Sequence, residues 1–329
     1  MFEGKTVLVT GATGLVGSHI VNEFMQMDNV HVIALSRSEE KLKKVFGKYL
    51  EDARFRIIAQ NVSEKINSDI GPVDYLFHAA SPMEGKIIAN YPVDVVSPNL
   101  VGTINCLEYL REQKEVKGKS GRLILFSSVT VYGNNTNNDI CVKESDTKVA
   151  DFLDAVNAPY SQSKRMSEVI ARAYGKQYGI DIVIARLSTV YGDTCIVPDT
   201  AFYEFINKAL KRESIIVNSS SAPRRDNIYI SDAVSGLLCI AEKGQSNEAY
   251  NVSSNGEGNN FVAVDEIAEI IVDISNRNME KKISLEYKEP GNAERKPGLK
   301  MDNTKLKNLG WRIKINIYEG IKYTLDYYM

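Results

Sequence analysis

The order of strand, glycine loop and helix at the start of this chain constrains its fold more than any other feature. Residues 5–10 (KTVLVT) form a short apolar run, residues 11–17 (GATGLVG) follow at once, and a helical apolar pattern continues through Phe24. Glycine permits a tight turn and lets the backbone approach a pyrophosphate. The helix N-terminus then offers free N–H groups and the positive end of its dipole to phosphate oxygens. The spacing is GxxGxxG rather than the GxGxxG of many dehydrogenases. In this context it predicts a dinucleotide site that opens an α/β fold.

Short β-rich runs alternate with longer helical segments through the next 180 residues. Candidate strands occupy 5–10, 31–35, 56–59, 75–79, 122–127 and 181–187, and long helices 94–112 and 160–178. Val95, Asn99, Gly102, Cys106, Tyr109 and Leu110 share one side of the first long helix. This alternation predicts a Rossmann doubly wound parallel sheet with right-handed crossovers. After about Tyr191 the strands become short and scattered, at 214–217, 227–230, 249–252 and 283–287, between helices at 200–212, 232–243 and 264–276. That change predicts a smaller mixed α/β C-terminal substrate lobe. The expected division is 1–190 for an NAD(P)-binding Rossmann domain and 191–329 for the lobe, with a soft boundary and elements that interleave. The polar stretch 133–159 is long for a loop, which marks it as functional or mobile.

Composition excludes several classes. Forty Lys and Arg against 42 Asp and Glu leave a net charge of −2, so no global field favours nucleic acid or an anionic membrane. Cys106, Cys141, Cys195 and Cys239 form no CxxC pair, and His19, His31 and His78 show no metal-ligand spacing. No metal site and no disulfide framework are expected, and a reducing compartment fits. The first residues carry no basic segment followed by an apolar stretch, and no run approaches ~18 apolar residues. The expected location is the cytoplasm.

The second strand bears on which dinucleotide is bound. An acidic residue commonly ends that strand and grips the ribose 2′-OH. Here residues 32–38 (VIALSRS) place Ser36 at that point, with Arg37 after it. An arginine there pairs with a 2′-phosphate, so NADP(H) is expected over NAD(H). A solvated surface arginine is the plainer alternative.

Two further runs carry chemistry. In residues 159–164 (PYSQSK), Tyr160 and Lys164 fall four apart and share a helix face. A phenol ionises near pH 10, and an adjacent ammonium lowers that value toward a useful acid/base range. Residues 123–133 (LILFSSVTVYG) end a buried strand in hydroxyl residues, on the sheet edge where ligands bind in open α/β folds. Ser128 there can bond a substrate oxygen and share the proton with Tyr160. A solvated i,i+4 pair and a turn serine are the structural alternatives.

In this order the glycine loop, the SSVTVYG run and the YSQSK segment resemble the extended short-chain dehydrogenase/reductase family, in its NAD-dependent epimerase/dehydratase group acting on nucleotide sugars. His78-Ala-Ala-Ser81, the NLVGT run at 99–103, the RDNIYISD run at 225–232, and Asp302 with Leu309-Gly-Trp311 extend the resemblance along nearly the whole chain. It implies Tyr160 as general acid/base, Lys164 as its pKa modifier and ribose ligand, and Ser128 as third member. It implies cofactor contacts from Gly11, Thr13, Gly14, Leu15, Val16, Gly17, Ser36, Arg37, Asn61, Val62, Ala79, Ala80, Ser81, Asn99 and Leu187 besides Tyr160 and Lys164. For the substrate, a nucleoside-diphosphate sugar, it implies Ser128, Thr130 and Thr189, with Arg225 and Arg295 as diphosphate clamps. It also implies a homodimer through helices 94–112 and 160–178.

The chain departs from that pattern at informative places. Relatives that dehydrate carry Asp-Glu where Val129 and Thr130 stand, and nucleotide-glucuronate decarboxylases keep a Glu at the place of Thr130. Those chemistries are therefore disfavoured. Hydride transfer at a sugar carbon remains, most directly C4, by a 4-ketoreductase or a 4-epimerase. Thr189 replaces a common Asn, and Asn61 replaces an Asp near the adenine. Two other classes compete: a ketone or aldehyde reductase on a non-sugar substrate, and a non-catalytic NADP-binding protein.

Overall fold

The computed structural model describes residues 2–133, 139–146, 155–218, 220–277, 282–288 and 294–329. Residues 134–138 and 147–154 of the polar stretch, and Ser219, lie outside the described residues. The first half runs β1 (Thr6–Thr10), α1 (Leu15–Met25), β2 (His31–Ser36), α2 (Glu39–Phe46), β3 (Phe55–Ala59), β4 (Tyr75–His78), α3 (Gly85–Asn90), α4 (Pro92–Lys117), β5 (Arg122–Ser128), β6 (Ile140–Val142), α5 (Ala158–Tyr178) and β7 (Asp181–Leu187). The second half runs β8 (Thr189–Tyr191), α6 (Ala201–Leu210), β9 (Ile215–Val217), β10 (Arg225–Tyr229), α7 (Ile230–Lys243), β11 (Glu248–Val252), β12 (Phe261–Val262), α8 (Val264–Asn276), β13 (Leu285–Tyr287), β14 (Leu299–Met301), α9 (Thr304–Asn308) and α10 (Ile317–Tyr328).

Seven strands form one parallel sheet in the order β11-β7-β5-β4-β1-β2-β3. Both faces of its central strands are buried, which explains why they read as apolar runs. Side chains alternate across the sheet. Val7 and Val9 of β1 join Ile20 and Phe24 of α1 and Leu237 and Ile240 of α7 in the core on one face. Leu8 joins Cys106, Leu107 and Leu110 of α4 and Ala171 of α5 on the other. The stripe expected on the first long helix is buried as a set: Val95, Asn99, Gly102, Cys106, Tyr109 and Leu110 all face inward. The strand order reverses between β1 and β4, which opens a crevice at the carboxyl ends of the strands.

A smaller sheet, β12-β10-β14-β6 with β8 paired to β10, and a two-stranded β13-β9 pair make up a second layer. The two halves exchange strands. β11 extends the large sheet beside β7, while β6 pairs with β14 in the small one. No helix among the described residues is long and apolar enough to cross a membrane.

Two glycines make the first turn possible. Gly11 has φ +65°, and a Cβ there would lie 2.6 Å from the Ala80 backbone. A Cβ on Gly17 would lie 2.4 Å from the Gly11 carbonyl oxygen. Both clashes are with backbone, which cannot rotate away. Gly17→Ala is therefore expected to destabilise by about 1–3 kcal/mol, seen as a lower denaturant midpoint at unchanged slope. Gly47→Ala, where nothing lies within 4 Å of the added carbon, should stay within about 0.5 kcal/mol of wild type. Equal midpoints for the two variants would contradict this account of the loop.

Candidate active site

The carboxyl ends of β1, β4, β5 and β7 meet the N-termini of α1 and α5. No side chain caps α1 at Gly14, so its first-turn amides remain available at the crevice. Thr13 Oγ1 lies 2.9 Å from Ser36 Oγ and ties the glycine loop to the end of β2. Ser36 is half-buried and Arg37 beside it is exposed. Asn61 is exposed and its Oδ1 accepts from the Ser63 amide at 3.1 Å, while Val62 is buried against Gly102. Leu187, half-buried at the end of β7, lies in register with Ser128.

The residues 78–81 divide between bracing and exposure to the crevice. His78 is buried, its Nδ1 is 2.8 Å from Thr10 Oγ1, and its ring also bonds the Pro98 carbonyl. Burial pushes this imidazole down to about 3, helped by the charge of Lys164, so it stays neutral and structural. The Ala79 and Ala80 backbone packs on Gly11. The Ser81 hydroxyl is buried with no partner among the described residues.

β5 ends at Ser128, whose Oγ accepts from the Thr130 amide at 3.2 Å and so caps the short helical turn Val129–Tyr132. Ser128 also bonds the Tyr160 hydroxyl. Tyr160 and Lys164 stand one turn apart in the first half of α5, each 5% exposed. Burial raises the phenol above its ordinary range, and the Ser128 bond works against that. Lys164 Nζ donates to the Phe126 carbonyl at 2.8 Å and sits 5.9 Å from the centre of the Tyr160 ring. Burial pushes its ammonium down to about 7, with the Glu168 carboxylate opposing. Asn99 holds this helix turn through its serines. Its Nδ2 donates to Ser163 Oγ at 2.9 Å, and its carbonyl accepts from Ser167 Oγ at 2.6 Å.

The substrate candidates separate. Thr130 Oγ1 and Ser188 Oγ are buried and unpartnered among the described residues. Thr189 is half-buried in β8, in register with Asn227 of β10. Arg225 opens β10, is exposed, and has no ion pair among the described residues. Arg295 grips Asp265 of α8 at 2.9 and 2.7 Å and donates to the Ala222 carbonyl at 2.9 Å. Arg224 grips the neighbouring Glu266 in the same way.

Sequence reasoning misses Glu168, Arg186, Ser127 and Tyr132, which form a polar cluster behind Tyr160 and Lys164. The signal available was a charged residue, Arg186, inside an otherwise apolar strand run.

The residues present fit a nicotinamide dinucleotide. The glycine turn leaves room that a Cβ would fill, and α1 offers uncapped amides for a pyrophosphate. Asn99 Oδ1 and the Ser81, Thr130 and Ser188 hydroxyls are orphaned polar atoms, an arrangement that buried groups adopt where a ligand supplies partners.

The model of the NAD dependent epimerase/dehydratase family matches residues 7–253. Among curated proteins the chain is 29% identical to UDP-glucuronic acid decarboxylase 5 of Arabidopsis thaliana, over 96% of this chain and 86% of the relative. Among solved structures it resembles the UDP-glucose 4-epimerase of Thermotoga maritima, at TM-score 0.79 and 22% identity over 98% of each chain. It also resembles the UDP-glucuronic acid 4-epimerase of Bacillus cereus, solved with UDP-glucuronic acid and NAD, at TM-score 0.80 and 23% identity over 98% of each chain. The chain belongs to the NAD dependent epimerase/dehydratase family, and it is an enzyme of the extended short-chain dehydrogenase/reductase type.

Proposed function

We propose that this enzyme moves a hydride at C4 of a nucleoside-diphosphate sugar, as a 4-ketoreductase or a 4-epimerase. The observation that carries the reading is the Ser128–Tyr160–Lys164 arrangement with no acidic residue at 129 or 130. When bound, a nicotinamide ring supplies or accepts the hydride. Tyr160 gives a proton to, or takes it from, the C4 oxygen, and Ser128 bonds that same oxygen. The Lys164 ammonium stabilises the phenolate between proton transfers. Val129 has no ionisable group and the Thr130 hydroxyl is a weak base, so neither can abstract a C5 proton as a carboxylate would.

Relatives named as UDP-glucuronic acid decarboxylases favour a second reading. Oxidation at C4 of a hexuronic acid yields a β-keto acid, which can lose its carboxylate as CO2. The side chains at 129 and 130 weigh against that route.

Arg37, exposed at the end of β2 where no acid stands, supports NADP(H) over NAD(H). Arg37→Ala should erase that preference in dinucleotide titrations; a preference for NADH in wild type would contradict it. Arg225 and Arg295 are assigned to the substrate diphosphate, with Arg295 oriented by the buried Asp265. A homodimer is supported by Val101 of α4 and by Met166 and Val169 of α5, apolar side chains that face outward at 42%, 49% and 59% exposure. The free cysteines suit a reducing compartment such as the cytoplasm.

Steady-state kinetics separate these roles. Tyr160→Phe should lower kcat by about 10²–10⁴-fold while dinucleotide affinity holds. Arg225→Ala should instead raise KM for the nucleotide sugar by about tenfold or more with kcat little changed. Turnover that survives Tyr160→Phe, or an unmoved KM in Arg225→Ala, would overturn the corresponding assignment. Light scattering should return twice 36.7 kDa, and a mass of 36.7 kDa at micromolar concentration would refute the dimer.

A further inference from the structure

A buried polar network lies directly behind the catalytic pair. Glu168 stands one turn beyond Lys164 on α5, with its side chain 8% exposed, and Arg186 of β7, 12% exposed, grips it through Nε at 2.9 Å and Nη2 at 2.8 Å. Ser127, which precedes Ser128, donates to Glu168 Oε1 at 2.5 Å. Arg186 Nη1 donates to the Tyr132 hydroxyl and to the Glu144 carbonyl, each at 3.0 Å. One carboxylate thus joins the helix of Tyr160 to the strand end of Ser128. Through Arg186 it reaches the segment that continues from β6.

The charges here are few and close. Tyr160 and Glu168 on α5 and His78 on β4 face Lys164, and Arg186, Tyr132 and Glu144 follow behind Glu168. Burial works against the Lys164 charge and Glu168 works for it. An uncompensated Arg186 would work against it as well.

We propose that Glu168 and Arg186 are positioning residues for the catalytic pair, a balanced buried ion pair that keeps Lys164 charged behind Tyr160 and fixes the strand end carrying Ser128. This rests on the acid/base reading of Tyr160 and Lys164 given above. The role differs from a merely structural one in a measurable way. A structural brace sets stability, whereas a balanced pair sets the pH at which Lys164 loses its proton.

The test is an NMR titration of the full chain labelled with 13C-lysine, with Lys164 assigned by the loss of its signal in Lys164→Arg. In Glu168→Gln, Lys164 should titrate about one pH unit or more below wild type, a tenfold fall in the ratio of charged to neutral form at fixed pH. In Arg186→Met it should titrate higher, because Glu168 is then unopposed. In the double variant it should titrate between the two single variants and below wild type, because Arg186 cancels only part of the effect of Glu168. If one single variant does not fold, the other still decides, since their shifts have opposite signs. In the holoenzyme, the alkaline limb of kcat should move to lower pH in Glu168→Gln with KM for the nucleotide sugar unchanged. A Lys164 titration at the wild-type pH in a folded single variant would overturn the proposal, however unstable that variant is. A titration that moves while the kcat profile stays put would overturn it too. Wild-type protein inactive on every nucleotide sugar would instead sink the proposed function, and the lysine titrations would still decide the role of the pair.

Discussion

Burial of polar groups at the carboxyl edge of a parallel sheet is the constraint on which this structure turns. Parallel strands covered on both faces leave all their carboxyl ends on one side, so the connecting turns gather there. This chain places a phenol, an ammonium, a carboxylate, a guanidinium and several hydroxyls at that edge, most of them out of water. Each such group needs a partner or loses its charge. Lys164 donates to a strand-end carbonyl, Glu168 is held by Arg186 and Ser127, and His78 stays neutral between Thr10 and Pro98. The Ser81, Thr130 and Ser188 hydroxyls at this edge are buried without a partner among the described residues.

Lys164 shows how that burial bears on charge. It is brought near neutral pH by loss of solvent, so its charge responds to the groups around it. Breaking a buried ion pair by removing one partner commonly costs about 3–5 kcal/mol, because the other charge is left behind. The Glu168–Arg186 pair therefore fastens α5 to β7, and with Ser127 to β5, next to Tyr160 and Lys164.

Much of this was legible in the sequence, for physical reasons. The central strands β1, β2, β4, β5 and β7 are buried on both faces and read as apolar runs, and the expected bounds of the large-sheet strands differ from the observed ones by one residue at most. That Ser128, Tyr160 and Lys164 come together was legible because one ends a strand and two share a helix turn. The strands β6, β8, β12 and β14 have two or three residues each, too few to show a period. The final helix, α10, was passed over although Asn316 and Glu319 form a capping box at its start. Arg224, Arg225 and Arg295 look alike in sequence. Only tertiary contacts with Glu266 and Asp265 distinguish the two that are paired from the one that is exposed. Glu168 and Arg186 were missed for the same reason, since their pairing joins a helix to a strand.

The proposed confinement of chemistry to C4 rests on Val129 and Thr130, where no carboxylate stands. The most direct test incubates the enzyme in heavy water with a nucleoside-diphosphate hexose, the matching hexuronic acid and the 4-keto sugar, each with NADPH or NADP⁺. Mass spectrometry and NMR then follow the C4 hydrogen, the C5 hydrogen and CO2. The account predicts a hydrogen gained, lost or inverted at C4, with C5 free of enzyme-dependent solvent deuterium and no CO2 released. Solvent deuterium entering C5 with loss of the C6 hydroxyl, or CO2 from the hexuronic acid, would contradict it.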